Sequence, residues 1–195
     1  MTRPDPHRPV NLKRPMMSSV RSEAEAVDRA VYAAVVAGET PRLDVAMRRL
    51  SRAADYSRIS LTAAALLTFA GGERGRRAAL TGLAALGMTS AAVNVVVKPL
   101  TRRRRPERPV TTGPQVRMPR SRSFPSGHTA CAVAFASGAG RAVPAVSVPL
   151  HAVAALVGYS RVHTGVHYPG DVVAGAVIGA VIADATESVL ARLGD

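Results

Sequence analysis

Tryptophan is absent from this 195-residue chain, cysteine occurs once, and aromatic residues make up only 4%. The single cysteine, Cys131, excludes an intrachain disulfide and leaves the redox compartment unread. Too few aromatics remain to build the stacking platforms of single-stranded nucleic-acid binders. Acidic residues are also short: 13 Asp and Glu face 26 Lys and Arg, a net charge of +13. Such charge alone suits nucleic acid or an anionic bilayer. Here the basic residues flank long uncharged runs, so a membrane accounts for charge and hydropathy together, and no nucleic-acid partner is expected. What the chain has in plenty is small apolar residues, mainly Ala and Val, within a 47% hydrophobic composition. Small side chains let membrane helices approach closely.

Residues 1–19 contain four prolines and the basic residues Arg3, His7, Arg8, Lys13 and Arg14. They are expected to form a disordered basic tail, and not a signal peptide, because no apolar run follows. Residues 22–37 open with Ser22 and early acids, a good helix start, yet are too polar to span. Over 40–58, Leu43, Met47, Leu50 and Ala54 recur at helical spacing with arginines between them. That pattern fits a basic amphipathic helix on a membrane surface, or one packed on the protein's own flank. Residues 20–55 are therefore read as interfacial helices and 56–195 as the membrane domain. Uncharged helices are expected over 59–72, 78–97, 126–138, 142–159 and 171–183, separated by a glycine-rich turn and an arginine-rich loop at 98–123. The fold class is all-α, a polytopic membrane bundle of about five transmembrane helices. Gly175 and Gly179 form a G-x-x-x-G pair, either a close-packing face or chance in a Gly/Ala-rich stretch.

With this topology, the end of the second apolar helix, the start of the third, the end of the fourth and the start of the fifth share one membrane face. Three polar segments meet there: Lys98–Pro106 (KPLTRRRRP), Pro125–His128 (PSGH) and Ser160–Asp171 (SRVHTGVHYPGD). A phosphomonoester and its transition state carry spread negative charge, which Lys98, Arg105 and Arg161 can neutralise, arginine with forked donors. Ser126 and Gly127 open a helix, where unsatisfied N–H groups favour an anion. His167 is the candidate nucleophile. Asp171, four residues on, can hold one ring nitrogen and leave the other unprotonated. His163, His167 and Asp171 would resemble metal ligands on a continuous helix, but Gly165 and Pro169 argue against that helix. His163 is therefore read as a supporting hydrogen-bonder. Arg102, Arg103 and Arg104 exceed what one phosphate needs; they either anchor the loop at anionic headgroups, the favoured reading, or select a multiply charged substrate.

The three segments resemble, in order and spacing, the three motifs of the type 2 phosphatidic acid phosphatase (PAP2) superfamily: Lys98 with Arg105-Pro106, then Pro125-Ser126-Gly127-His128, then Ser160-Arg161 with His167 and Asp171. The resemblance implies a phosphohistidine intermediate on His167, with His128 protonating the leaving alkoxide and then activating water. It also implies catalysis without a metal or cofactor, and a lipid or polyprenyl phosphate as substrate. The small size and the GVHYPGD segment are similar to actinobacterial phosphatases that act on decaprenylphosphoryl-phosphoribose. A polyprenyl pyrophosphate phosphatase, a vanadate-dependent haloperoxidase and a non-catalytic anionic-lipid binder are the alternatives. Oligomeric state is not legible. In a five-helix topology the active-site side carries eleven Lys/Arg from residues 1–58, nine from 98–122 and Arg161, against Arg74, Arg76, Arg77, Arg141 and Arg192 opposite. The positive-inside rule then places the site on the cytoplasmic face of the inner membrane; spanning by 22–37 would reverse it.

Overall fold

In a computed structural model of the chain, residues 15–38, 40–107 and 116–194 are described. They form seven helices: α1 (Pro15–Val36), α2 (Pro41–Ala53), α3 (Arg58–Ala70), α4 (Gly72–Leu100), α5 (Gly127–Ala142), α6 (Ser147–His163) and α7 (Pro169–Gly194). Among the described residues there is no strand. α1 begins at Pro15, so residues 15–19, expected in the tail, are helical. Proline is tolerated in a first helical turn, where its missing N–H is not needed. The rest of the expected tail, 1–14, lies outside the described residues.

α3 to α7 are the five expected apolar helices. Three segments are long and apolar enough to cross a membrane: Gly72–Leu100, Pro144–His163 and Pro169–Leu193. α3 and α5 are shorter, at 13 and 16 residues. α5 is the inner helix, packed against α4, α6 and α7. Its Ala130, Ala134, Phe135, Ala136 and Ala139 are buried.

Close approach makes this packing possible. A Cβ at Gly175 would lie 2.5 Å from the Ser126 carbonyl oxygen, and one at Gly179 would collide with that of Ala130. The G-x-x-x-G pair is therefore the face on which α7 meets α5. Gly82 on α4 plays the same part against Phe135, whose ring would sit 2.9 Å from an added Cβ. At the end away from the three motifs, Arg141 joins α5 to α7 through Asp184 and Glu187.

Candidate active site

The three motif segments converge because four helix ends meet at one end of the bundle. α4 widens into a π-helical stretch over Ala92–Val97 just before Lys98, a distortion frequent at functional sites. It then stops, and the chain runs extended through Arg103 and Arg105. α6 ends at His163, and Gly165 adopts a left-handed φ of 65° that a side chain would disfavour. This turn folds the loop back, so that the Arg161 carbonyl accepts from the N–H groups of both Val166 (2.9 Å) and His167 (3.1 Å). α7 starts anew at Pro169, so His163, His167 and Asp171 do not share a helix. The Ser126 N–H donates to the Asp171 carbonyl at 2.9 Å, joining the starts of α5 and α7.

His167 is 1% exposed. Its Nδ1 lies 3.5 Å from Asp171 Oδ2, and its Nε2 lies 3.2 Å from Arg105 Nη1. Burial pushes the His167 imidazole down to about 4; Asp171 pulls it upward, and Arg105 and Arg161 push it further down. The ring is thus neutral near pH 7. Arg105 is itself held: Nη1 donates to the Val166 carbonyl (2.8 Å), Nε to that of Ser121 (3.0 Å) and Nη2 to that of Arg122 (3.2 Å).

Asp171 is fully buried and saturated with donors. Oδ2 accepts from the Ser123 hydroxyl (2.5 Å) and the Tyr168 N–H (3.0 Å), and Oδ1 from Arg103 Nη1 (2.9 Å). Arg103 is therefore no headgroup anchor, contrary to the sequence expectation. Its other amino group bonds Asp28 of α1, and its guanidinium lies 4.6 Å from the centroid of the Tyr168 ring. Asp28, 8% exposed, also accepts from the Gly170 N–H at 2.6 Å. Two acids clamp Arg103, partners that offset the cost of taking a guanidinium partly out of water. The chain Asp28–Arg103–Asp171–His167 links the amino-terminal helix to the candidate nucleophile.

His128 sits in the first turn of α5 against Arg161, whose Nη2 is 2.9 Å from Nε2. Arg161, 2% exposed, donates to the Ser51 hydroxyl (2.6 Å) and carbonyl (3.0 Å) on α2. Asp55, just beyond α2, places Oδ1 3.1 Å from His128 Nε2 and 3.4 Å from Arg161 Nη2. The next two residues, Tyr56 and Ser57, both have φ of 56°. Two consecutive non-glycine residues in the left-handed region are strained, and this bend carries Asp55 to the site. His163, as a supporting residue, bonds Asp44 of α2 at 2.7 Å.

The remaining expected residues surround the same space. Lys98 Nζ lies 3.4 Å from the Ser121 hydroxyl and would be 3.5 Å from a Cβ on Gly127. Gly127 thus lies against Lys98 at the helix start, where an anion can meet both the ammonium and the first N–H groups of α5. Ser126, expected in the phosphate cradle, is instead fully buried: its hydroxyl caps α5 against Thr129 (2.9 Å to the hydroxyl), and its N–H is taken by Asp171. Among the described residues no group of three His, Cys, Asp or Glu side chains is arranged to hold a metal ion.

Sequence reasoning missed Asp28, Ser51, Asp55, Arg103 and Ser123. The available signal was the arm's acids in a chain otherwise so basic, and the surplus of arginines beside Arg105.

Comparison with known proteins matches residues 78–192 to a family described as the PAP2 superfamily. The chain is 38% identical over 102 residues to a decaprenylphosphoryl-5-phosphoribose phosphatase of Mycobacterium tuberculosis, covering 50% of this chain and 54% of that protein. The chain thus spans about half the length of that relative. It is 36% identical over 165 residues to the protein of the same name from Mycolicibacterium smegmatis, covering 82% and 84%. Among solved structures, it resembles a transmembrane PAP2 type phosphatidylglycerolphosphate phosphatase from Bacillus subtilis, with a TM-score of 0.68, 25% identity and 90% of each chain covered.

Proposed function

This chain belongs to the PAP2 superfamily, and on that premise we propose that it is an integral-membrane phosphatase acting on a phosphomonoester of a lipid or polyprenyl-linked alcohol. The observation that carries the reading is His167, buried and neutral, with Nδ1 facing Asp171 and Nε2 facing Arg105. Lys98, Arg105, Arg161 and the Gly127 end of α5 surround the substrate phosphate and neutralise its oxygens. The His167 Nε2 lone pair attacks phosphorus. The phosphorus–ester oxygen bond breaks, and the departing oxygen takes a proton from His128, which the negative charge of the bound phosphate keeps protonated against the downward push of burial and Arg161. Water then attacks the phosphohistidine, giving its proton to His128; the nitrogen–phosphorus bond breaks, and inorganic phosphate leaves. Asp171 stabilises positive charge on His167 through Nδ1, the logic of a histidine oriented by a carboxylate. Asp55 is the acceptor beside His128.

For substrate, the names of the relatives favour a decaprenylphosphoryl-5-phosphoribose or a similar polyprenyl-linked phosphate. The arm docks at the active-site end through Asp28, Asp44 and Asp55, which adds the arm's basic residues to that side. The excess there supports a cytoplasmic site in the inner membrane by the positive-inside rule. Residues 15–55 are taken as the arm, with 15–19 moved from the expected tail into α1, and 56–195 as the phosphatase domain.

The test is phosphate release by detergent-purified protein in EDTA from polyprenyl-phosphoryl-phosphoribose, phosphatidic acid, phosphatidylglycerophosphate and polyprenyl pyrophosphate, beside His167→Ala. Turnover lost in the variant supports the reading; silence across the panel, or activity surviving the substitution, overturns it. Preference for the pyrophosphate would move the assignment to that substrate.

A further inference from the structure

Between Lys98 and Ser123 the sequence has nine basic residues and a single acid, Glu107. The mechanism above uses Lys98 and Arg105, and Arg103 is neutralised by Asp28 and Asp171. Arg104, Arg120 and Arg122 are exposed and have no carboxylate partner among the described residues. They line an open cleft of about 460 Å³ together with Arg105 and Ser121. Those last two residues also border the space for the reacting phosphate, where Ser121 lies beside Lys98 and Arg105 beside His167. The cleft therefore adjoins the reaction site.

The wall bearing Arg120 and Arg122 is fastened to the catalytic arginine. Arg105 donates to the carbonyls of Ser121 and Arg122, and its Nη2 lies 3.2 Å from the Ser121 hydroxyl. A loop that only anchored the chain at headgroups would need charge but no fixed relation to Arg105. Here a second anion would sit at a set position relative to the first. Guanidinium groups of this kind suit phosphate oxygens, offering paired donors that remain charged at any working pH. Like-charged side chains gathered in a cleft also raise the local potential for an anion.

We infer that this cleft binds a second phosphate group of the same substrate molecule, so that lipids carrying two phosphates across a short spacer are preferred over those carrying one. The inference rests on the phosphatase reading and narrows its substrate class. It assigns Arg104, Arg120 and Arg122 to selection of the substrate and leaves the bond-breaking step to the residues already named.

The same phosphate chemistry could come from bilayer headgroups, and the experiment separates the two sources. Hydrolysis of phosphatidic acid is followed in neutral detergent micelles, with inorganic phosphate or 1,3-propanediol bisphosphate as inhibitor. The bisphosphate is expected to inhibit at least about tenfold more strongly, beyond the twofold statistical advantage of two identical groups. Replacing Arg104, Arg120 and Arg122 by Gln should remove that advantage while inhibition by inorganic phosphate and kcat for phosphatidic acid stay as they were. Equal inhibition by the two probes overturns the inference, as does an advantage that survives the substitutions. Loss of activation by added phosphatidylglycerol, with the bisphosphate advantage intact, would assign the arginines to headgroups instead. Calorimetric binding of the two probes gives the same ratio without turnover. A wild-type protein that binds the bisphosphate preferentially but hydrolyses nothing would sink the phosphatase reading and leave only the two-phosphate binding site.

Discussion

The amino-terminal arm and the bundle it leans on are held by different forces. Within the bundle, α4, α5 and α7 meet through glycines and alanines, backbone close to backbone. The arm meets the bundle through aspartates: Asp28 to Arg103, Asp44 to His163, and Asp55 to Arg161 and His128. Each of these partners lies in or beside a motif segment. The bundle therefore carries the candidate reacting groups, and the arm, which precedes the family-matched residues 78–192, braces them. Apolar packing tolerates salt and pH, whereas partly exposed ion pairs are screened by salt. Of the two regions, the arm is the one whose contacts with the candidate site are open to solution conditions.

His167→Ala should lower phosphate release by about 10³-fold or more and abolish the acid-labile phosphoenzyme trapped from a radiolabelled substrate. Next comes the arm. Asp28→Asn keeps the shape but not the charge, and should reduce kcat by about 10- to 100-fold through misalignment of Asp171, with KM within about threefold of wild type. Asp28→Glu should recover part of the loss. A raised KM at unchanged kcat would show that the arm serves substrate binding instead.

The pH profile sharpens the same division. With the His167 ring pushed down to about 4, its attacking lone pair is present above that value and lost as pH falls through it. The acid limb of kcat/KM assigned to His167 should therefore lie near pH 4 and fall about tenfold per unit below it. A limb near pH 6.5 would mean that the nucleophile is not buried in this way. The smallest effect is expected at Asp44→Asn, which weakens the bond to His163, a residue with no part in the proposed reaction. It should cost about 1 kcal/mol, seen as a few degrees of Tm, and change kcat less than about twofold.

The bundle and the candidate reacting groups were legible because their signals are local. Uncharged runs mark helices, and Lys98, Arg105, Gly127, His128, Arg161, His167 and Asp171 occur in short segments whose spacing matches a family. The helix ends ran longer than read, as at α7, because Asp184 and Glu187 look like a stop until Arg141 is seen to neutralise them. Ser126 caps its own helix, and the sequence does not separate that part from contact with a ligand, since a serine at a helix start can serve either. Asp28 and Asp55 were invisible for a different reason: each acts across a separation of more than 70 residues. Arg103 was hidden among its neighbours, since nothing in a run of four arginines distinguishes the one that faces inward.

The glycine face of α7 has a consequence for distance. Gly179 lies eight residues beyond Asp171, about 12 Å deeper along the helix, and touches α5 below the point where Ser126 and Asp171 are joined. A methyl group added there would act as a wedge driven into a hinge, prising apart the two helix starts that frame the phosphate. The spacing of the two helix starts at the candidate site is thus gauged deep in the bundle, by the absence of a side chain on α7.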